Sequence, residues 1–317
     1  MTARVEISHL CKSFGSLEAV KDISFSVEAG EVLGFLGPNG AGKSTTMKMV
    51  TSFLPPTSGT AKVCGHDVLQ SPLEVKRSMG YLPEGAPSYG EMTPRGFLGF
   101  VASVRGLSGS DGQRAVDRAM GLTQLGAVAE QRIETLSKGF KRRVGLAQAI
   151  LHDPDVLIMD EPTDGLDPNQ KHEVRGLIEE MGRDKVIILS THILEEVDAV
   201  CSRAIIIANG ELKADGTPAQ LHEHAWGGRA VRLAVSGEGA ATLADTLAAV
   251  PGVAKVEPLS GSEAWQLFRL YPQDGQDIAA AVGRCVQGSA FELQELSPEA
   301  TGLDRVFRQI TATGSAS

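Results

Sequence analysis

Residues 37–44 read Gly37-Pro38-Asn39-Gly40-Ala41-Gly42-Lys43-Ser44, a full match to G-x-x-x-x-G-K-[ST]. No other segment constrains the fold as tightly. Glycines let the backbone bend until consecutive N–H groups point inward at phosphate oxygens, and a helix opening near Lys43 adds its positive dipole end. Such a loop needs an apolar strand before it and a helix after it. Both are legible, as the run Glu31-Val32-Leu33-Gly34-Phe35-Leu36 and as Met47 and Val50 beyond the loop. The pattern predicts nucleotide binding, with Lys43 reaching the β- and γ-phosphates and the Ser44 hydroxyl ligating Mg²⁺. The competing reading, a glycine-rich turn of no consequence, lacks a reason for this flanking context.

Two later runs, Val156-Leu157-Ile158-Met159 and Val186-Ile187-Ile188-Leu189, are continuous and apolar, as strands covered on both faces of a parallel sheet would be. Ile23-Ser24-Phe25-Ser26-Val27 instead alternates with period two, as a strand with one buried face does. Helical stretches lie between, so the first part of the chain reads as α/β. The run 156–159 passes directly into Asp160-Glu161-Pro162. A parallel strand delivers its C-terminal residues to the crevice where ligands bind. Asp160 can there hold Mg²⁺, directly or through water, and Glu161 can orient and polarise an attacking water. Many strands end in a charged turn, so the two acids gain meaning only beside the phosphate loop.

Around Thr93 the pattern turns helical. Thr93 is a candidate N-cap, Pro94 suits the first helical position, and Phe97, Phe100, Val101 and Val104 recur at helical spacing. The stretch from about Tyr89 to Glu130 is predicted helical. A second shift follows Trp226-Gly227-Gly228. Strands are predicted at 231–235, 253–256, 265–270 and 291–296, with helices at 240–250 and 277–286. That βαββαβ order fits a small ferredoxin-like α+β module, closed by a last helix near 303–310. The predicted domains are 1–226 and 229–311, with 312–317 a disordered tail.

Composition narrows the function classes. Asp and Glu number 39 against 30 Lys and Arg, a net charge of -9. Bulk charge of that sign opposes coating a nucleic acid or an anionic membrane, and no nucleic-acid partner is expected. Cys11, Cys64, Cys201 and Cys285 form no C-x-x-C pair, which fits free thiols in a reducing cytosol rather than disulfides or zinc. The first residues lack a signal-peptide core, and no run of about 18 apolar residues is present to span a bilayer. A cytoplasmic chain is expected.

Four further segments stand in a telling order: Tyr81-Leu82-Pro83-Glu84, Leu136-Ser137-Lys138-Gly139-Phe140, Asp164-Gly165-Leu166-Asp167 and Ser190-Thr191-His192. With the phosphate loop and the acidic strand end, they resemble the ATP-binding subunit of an ABC transporter over about residues 4–222. The resemblance implies a P-loop NTPase of the ABC ATPase type, with an antiparallel β-subdomain and a helical insertion counted from about 89 to 150. Residues 136–140 resemble the signature Leu-Ser-Gly-Gly-Gln, with Lys138 for the first glycine and Phe140 for the glutamine. Ser137 and Gly139 keep a hydroxyl and an approachable N–H for phosphate; a plain capped helix start is the other reading. Residues 164–167 resemble the D-loop, which implies a nucleotide-facing role for Asp167. His192 resembles the switch histidine, implied to contact the γ-phosphate and support the carboxylate of Glu161; without that context it reads as a structural residue. His222 and His224 read as surface residues.

Residues 81–84 resemble the Q-loop with Glu84 in place of glutamine, a carboxylate still able to accept from a metal-bound water. Phe14 sits where the family places an adenine-stacking aromatic, with a core phenylalanine as the lesser reading. The implied cofactors are ATP and Mg²⁺, with Gly37 to Thr45 cradling the phosphates. The implied assembly is a head-to-tail homodimer closing around two ATP molecules. Its implied partner is a separate integral membrane permease of ABC-2 type, in an export or gliding-associated system, with the chain held at the inner face of the plasma membrane. Tyr81, Pro83, Pro87, Tyr89, Phe97 and Phe100 are the candidates for the docking groove, and Phe97 and Phe100 read equally as insertion core. Long heptad insertions of DNA-repair relatives and the doubled cores of ribosome-acting ones are both missing from this sequence. A regulatory module whose C-terminal region senses a ligand or partner is the alternative function.

Overall fold

The computed structural model describes residues 4–86, 88–224, 230–237, 243–262, 265–273, 276–289 and 291–299. Pro87, the helix expected near 303–310 and the tail 312–317 lie outside the described residues, as do the side chains of His222 and His224. The contacts divide the chain into two compact units between Thr217 and Pro218.

In the first unit, β1 (Val5–Phe14) and β2 (Leu17–Val27) form an antiparallel hairpin. Then come β3 (Val32–Leu36), α1 (Lys43–Val50), β4 (Ser58–Val63), β5 (His66–Asp67), α2 (Pro72–Ser78) and β6 (Met79–Leu82). The insertion holds α3 (Pro94–Val104) and α4 (Gly109–Leu122), and leads through two short 3-10 turns into α5 (Lys138–Ile150). The unit ends with β7 (Val156–Asp160), α6 (Pro168–Met181), β8 (Val186–Thr191), α7 (Leu194–Val200), β9 (Arg203–Ala208) and β10 (Glu211–Gly216). Among the described residues these strands make two sheets, ordered β2-β1-β4-β5 and β10-β9-β3-β8-β7-β6.

The apolar runs read from the sequence are the parallel core of the second sheet. Every residue of β3, β7 and β8 is buried, because both sheet faces are covered. One face packs on the antiparallel sheet and α1, where the Phe25 and Phe35 rings lie 5.6 Å apart. The other face packs on the helices, including α5 and α6. The helix expected from Tyr89 begins at Pro94, where the Thr93 hydroxyl accepts from Gly96 N–H at 3.1 Å. Residues before that cap are turn and loop.

The second unit contains α8 (Pro218–His224), β11 (Ala230–Ser236), α9 (Leu243–Ala248), β12 (Val253–Ser262), β13 (Trp265–Pro272), α10 (Ala279–Gln287) and β14 (Glu292–Glu299). Its antiparallel strands run β12-β13-β11-β14, which places β11 and β13 centrally as a ferredoxin-like βαββαβ module requires. Val231, Leu233, Phe268 and Leu270 alternate inward against Leu247 and Val282, giving this unit a core of its own.

The seat of α5 matters for the site. A Cβ at Gly80 of β6 would lie 2.1 Å from the Ala149 carbonyl oxygen, and one at Gly145 of α5 would lie 2.6 Å from Ala86 Cβ. Helix and strand therefore meet almost backbone to backbone. Gly80→Ala is expected to lower unfolding free energy by about 1–3 kcal/mol, read as a reduced urea midpoint. A wild-type midpoint would show that α5 does not approach β6 this closely.

Candidate functional site

The phosphate loop leaves β3 at Leu36 and enters α1 at Lys43. Two of its glycines are fixed by sterics. A Cβ at Gly37 would fall 2.5 Å from the Ile207 carbonyl oxygen, and one at Gly42, whose φ is +103°, would fall 2.5 Å from that of Ala19. Gly40 also has positive φ but faces open space. The turn Asn209-Gly210 props the loop from behind: Gly210 N–H donates to Ala41 O at 3.1 Å, and Lys21 N–H donates to Gly210 O at 2.7 Å. The loop thus sits against β2 and the β9–β10 hairpin, with the free N–H groups of the first turn of α1 at its mouth.

Lys43 is buried, and its ammonium donates to Gly37 O at 2.7 Å and Pro38 O at 3.2 Å. Burial lowers its pKa, while the charges of Glu161, Asp160 and Glu84 pull it back up. Asp160 at the end of β7, Glu161 after it and Glu84 after β6 thus lie near enough for their charges to act on Lys43.

Parallel register builds the acidic end. Asp160 of β7 stands beside Ser190 of β8, and the Ser190 hydroxyl donates to Asp160 Oδ1. Asp160 is only 1% exposed. One residue on, Glu161 N–H donates to Ser190 O at 3.0 Å, and the residue adopts φ +51°, an uncommon conformation for a side chain of this size. Its Oε1 lies 2.9 Å from His192 Nδ1. Beneath this layer the buried Glu196 accepts from the hydroxyls of Thr163 and Thr191 and tightens the turns that follow β7 and β8. Lys43, Asp160, Glu161, Glu84 and His192, singled out in the sequence, meet at one sheet edge.

Other sequence-selected residues sit elsewhere. Ser137 caps α5, accepting from Phe140 N–H at 3.3 Å, and Gly139 packs against the amide end of Gln170, whose Oε1 would lie 2.3 Å from a Cβ there. Among the described residues neither makes a hydrogen bond to the phosphate loop of its own chain. Asp167, expected to face nucleotide, is the N-cap of α6: its carboxylate accepts from Gln170 N–H at 2.9 Å in a capping box. Lys138 bonds Asp164 at 3.0 Å and lays its stem over Gly165, and that bond lowers the Asp164 pKa. Phe14 is 49% exposed, with Lys12 Nζ 5.2 Å from its ring centre, so it is no core residue. Ser44 and Thr45 occupy the first turn of α1, partly exposed.

Two neighbouring cavities flank the turn after β6. One, of about 340 Å³, is lined by Phe53, Tyr81, Pro83, Arg105 and Gln148 among others; the other, of about 460 Å³, by Tyr89, Phe97, Phe100 and Val104 with the same Arg105 and Gln148. Tyr89 meets Phe97 and Phe100 edge-on at 6.0 and 5.7 Å. Phe97 is buried and belongs to the insertion core, whereas Tyr89, Phe100, Val104 and Phe53 are exposed. Among the described residues the buried Tyr81 hydroxyl has no hydrogen-bond partner, and burial raises its pKa.

A family model described as ABC transporter matches residues 20–164. The chain is 30% identical over 308 residues to the linearmycin resistance ATP-binding protein LnrL of Bacillus subtilis (strain 168), spanning 97% of this chain and 98% of that protein. It is 37% identical over 220 residues to Nod factor export ATP-binding protein I of Paraburkholderia xenovorans (strain LB400), spanning 69% and 72% respectively. A solved structure described as the ATP binding subunit of an ABC transporter superposes with a TM-score of 0.65 at 31% identity, covering 70% of this chain and 93% of that one.

Lys43→Ala removes the ammonium on which these carboxylate charges act. It is expected to weaken binding of a labelled nucleoside triphosphate by about 10- to 100-fold, measured by fluorescence anisotropy. Unchanged affinity would remove Lys43 from the phosphate site.

Proposed function

The chain belongs to the ABC transporter ATP-binding family, and we propose that it drives a separate membrane-spanning export partner by closing and opening as an ATP-dependent dimer. As a family member it is an ATP-binding subunit and an ATPase. The observation that supports the finer reading is the shared edge at which β3, β6, β7 and β8 end, which carries the phosphate loop, Glu84, Asp160 and Glu161, with His192 2.9 Å from Glu161.

In this reading the loop Gly37–Ser44 and Thr45 hold the triphosphate, and Lys43 exchanges its carbonyl contacts for phosphate oxygens. Phe14 stacks on the base through its exposed ring. The donor set Ser44, Asp160 and Glu84 is all oxygen, as Mg²⁺ prefers when phosphate and water complete its shell. That ion supplies charge neutralisation at the phosphates. Glu161 accepts a proton from the attacking water, and His192 orients its carboxylate.

Among the described residues Ser137 and Gly139 make no hydrogen bond to their own phosphate loop, and in this reading a second copy is the surface they meet. ATP bound between two copies stabilises the closed pair by mass action, and its cleavage releases them. The exposed apolar side chains Tyr89 and Phe100 beside the turn after β6 suit docking of a membrane permease, for which ABC-2 type and an export direction are our assignment. Names of two relatives, one a resistance and one an export protein, support that direction. Among the described residues no helix is long and apolar enough to cross a membrane, so the partner supplies the spanning segments and holds this chain at the inner membrane face.

Glu161→Gln keeps the shape of the site and removes the base. Turnover is expected to fall by about 10²-fold or more while ATP stays bound, and light scattering should detect a dimer that forms only with ATP. Wild-type turnover in this variant would refute the assignment. Glu84→Gln restores the amide usual in the family and is expected to keep turnover; complete loss would give the carboxylate a role of its own.

A further inference from the structure

We infer that Arg142 is a positioning residue for Glu161, holding the catalytic turn in a shape that depends on the helix beginning at Ser137. This rests on Glu161 as the base. Arg142 lies on α5 and is 7% exposed. Its Nε donates to Pro162 O at 3.3 Å, its Nη1 to Pro83 O at 3.2 Å, and its Nη2 to the carbonyl oxygens of Asp160 and Glu161. All four acceptors are backbone, three of them consecutive.

That pattern is unusual for a buried cation. Among the described residues Arg142 forms no ion pair; burial lowers its pKa, and the charges of Asp164, Asp160, Glu161 and Glu84 oppose that shift. A guanidinium buried without a carboxylate partner is costly unless its donors are well satisfied. Here the satisfied donors shape the backbone. Three successive carbonyls can face one planar group only if the chain curls, and Glu161 does curl, with φ +51°. Such a conformation in a non-glycine residue persists when its surroundings over-determine it. On one side Ser190 O accepts the Glu161 N–H, and on the other Arg142 holds the carbonyl. Between these two holds the Glu161 side chain extends to His192.

The same guanidinium reaches Pro83, the residue before Glu84. One side chain thus joins three parts: the helix that presents Ser137 and Gly139, the turn that carries Glu84, and the turn that carries the base. A shift of α5 relative to β7 moves the Glu161 carbonyl and with it the direction of the carboxylate. Arg142 makes hydrolysis contingent on the seat of α5.

A lysine keeps the charge but offers three donors from one point, so it cannot span four carbonyls set around a plane. The test uses the full chain with Arg142→Lys and Arg142→Gln. Both are expected to melt as folded proteins, to bind ATP within about twofold of wild type with KM unchanged, and to lose about 10²-fold in kcat, the scale for a base displaced by about 1 Å. The double variant Arg142→Lys, Glu161→Gln should still form the ATP-dependent dimer, placing the defect after binding. A purely structural role predicts lower melting temperature at normal kcat per folded molecule, and that result would overturn the inference. So would joint loss of ATP binding and kcat, or a lysine variant that does not fold. Glu161→Gln alone separates the two levels. If it still turns over, the base assignment fails and this inference with it; if it is inactive while Arg142→Lys is normal, only the role of Arg142 falls.

Discussion

Parallel pairing of β3, β8 and β7 sets Leu36 opposite Thr191 and Ser190 opposite Asp160, so the loops that follow all leave the sheet at one edge. A parallel sheet has this property in general, since its carboxyl ends share a side. Here the shared side carries the phosphate loop, the acidic turn and the histidine turn. Register does the rest: a one-residue slip of β7 would carry Asp160 away from the Ser190 hydroxyl and turn its side chain to the other face. Burial on both faces does not by itself choose that register, since either face is apolar; the polar pair Asp160 and Ser190 at the strand ends distinguishes it.

Electrostatics at that edge is a balance among buried groups rather than a property of the whole chain. The net charge of -9 sums over the whole chain and says nothing of this edge. Within the site two cations, Lys43 and Arg142, lie in the field of Asp160, Glu161 and Glu84, and both are satisfied by carbonyl oxygens rather than by carboxylates. Carboxylates left without direct cation partners remain available to a metal ion or a proton. The exposed pair Lys138–Asp164 is different in kind. With both partners well exposed, its contribution to stability is small, and its effect is to hold residues 164–165 against the start of α5.

Much of this was legible because loop chemistry and strand burial leave local marks. The phosphate loop, the acidic strand end and the βαββαβ order of the second unit are all written in short windows. Asp167 carries a second local mark beside its expected nucleotide-facing role. Asp167-Pro168 with Gln170 three places from the cap is a helix-start signal, and the structure uses the carboxylate for that cap. Asn209-Gly210 is likewise a hairpin signal between alternating strands; its second duty, propping Ala41, arises only once β9 lies beside β3. Phe14 was ambiguous because an aromatic at a strand end reads as core or surface alike, and only the short β1–β2 turn leaves it exposed. Arg142 had no local mark. Its partners are distant in sequence, and its acceptors are carbonyls, which every residue has.

Helix α5 cannot slide freely on β6, since Gly80 lies against the Ala149 carbonyl and Gly145 closes on the side chains of Leu82 and Ala86. The turn after β6 passes from Leu82 to Ala86 beneath the same helix, and one wall of the neighbouring cavity is formed by Tyr81, Pro83 and Gln148 of these two elements. A partner pressing into that cavity therefore pushes on β6 and α5 together rather than on either alone. Because the helix is seated by backbone contact, the displacement is carried along it as a rigid body and not absorbed by side-chain rearrangement. Arg142 lies within α5 and grips carbonyls at both ends of the gap between Pro83 and Glu161. In the proposed reading, pressure at the cavity and the aim of the base are two readouts of one coordinate, the seat of α5. Coupling of this kind needs no long chain of contacts, only one packed helix and one buried guanidinium.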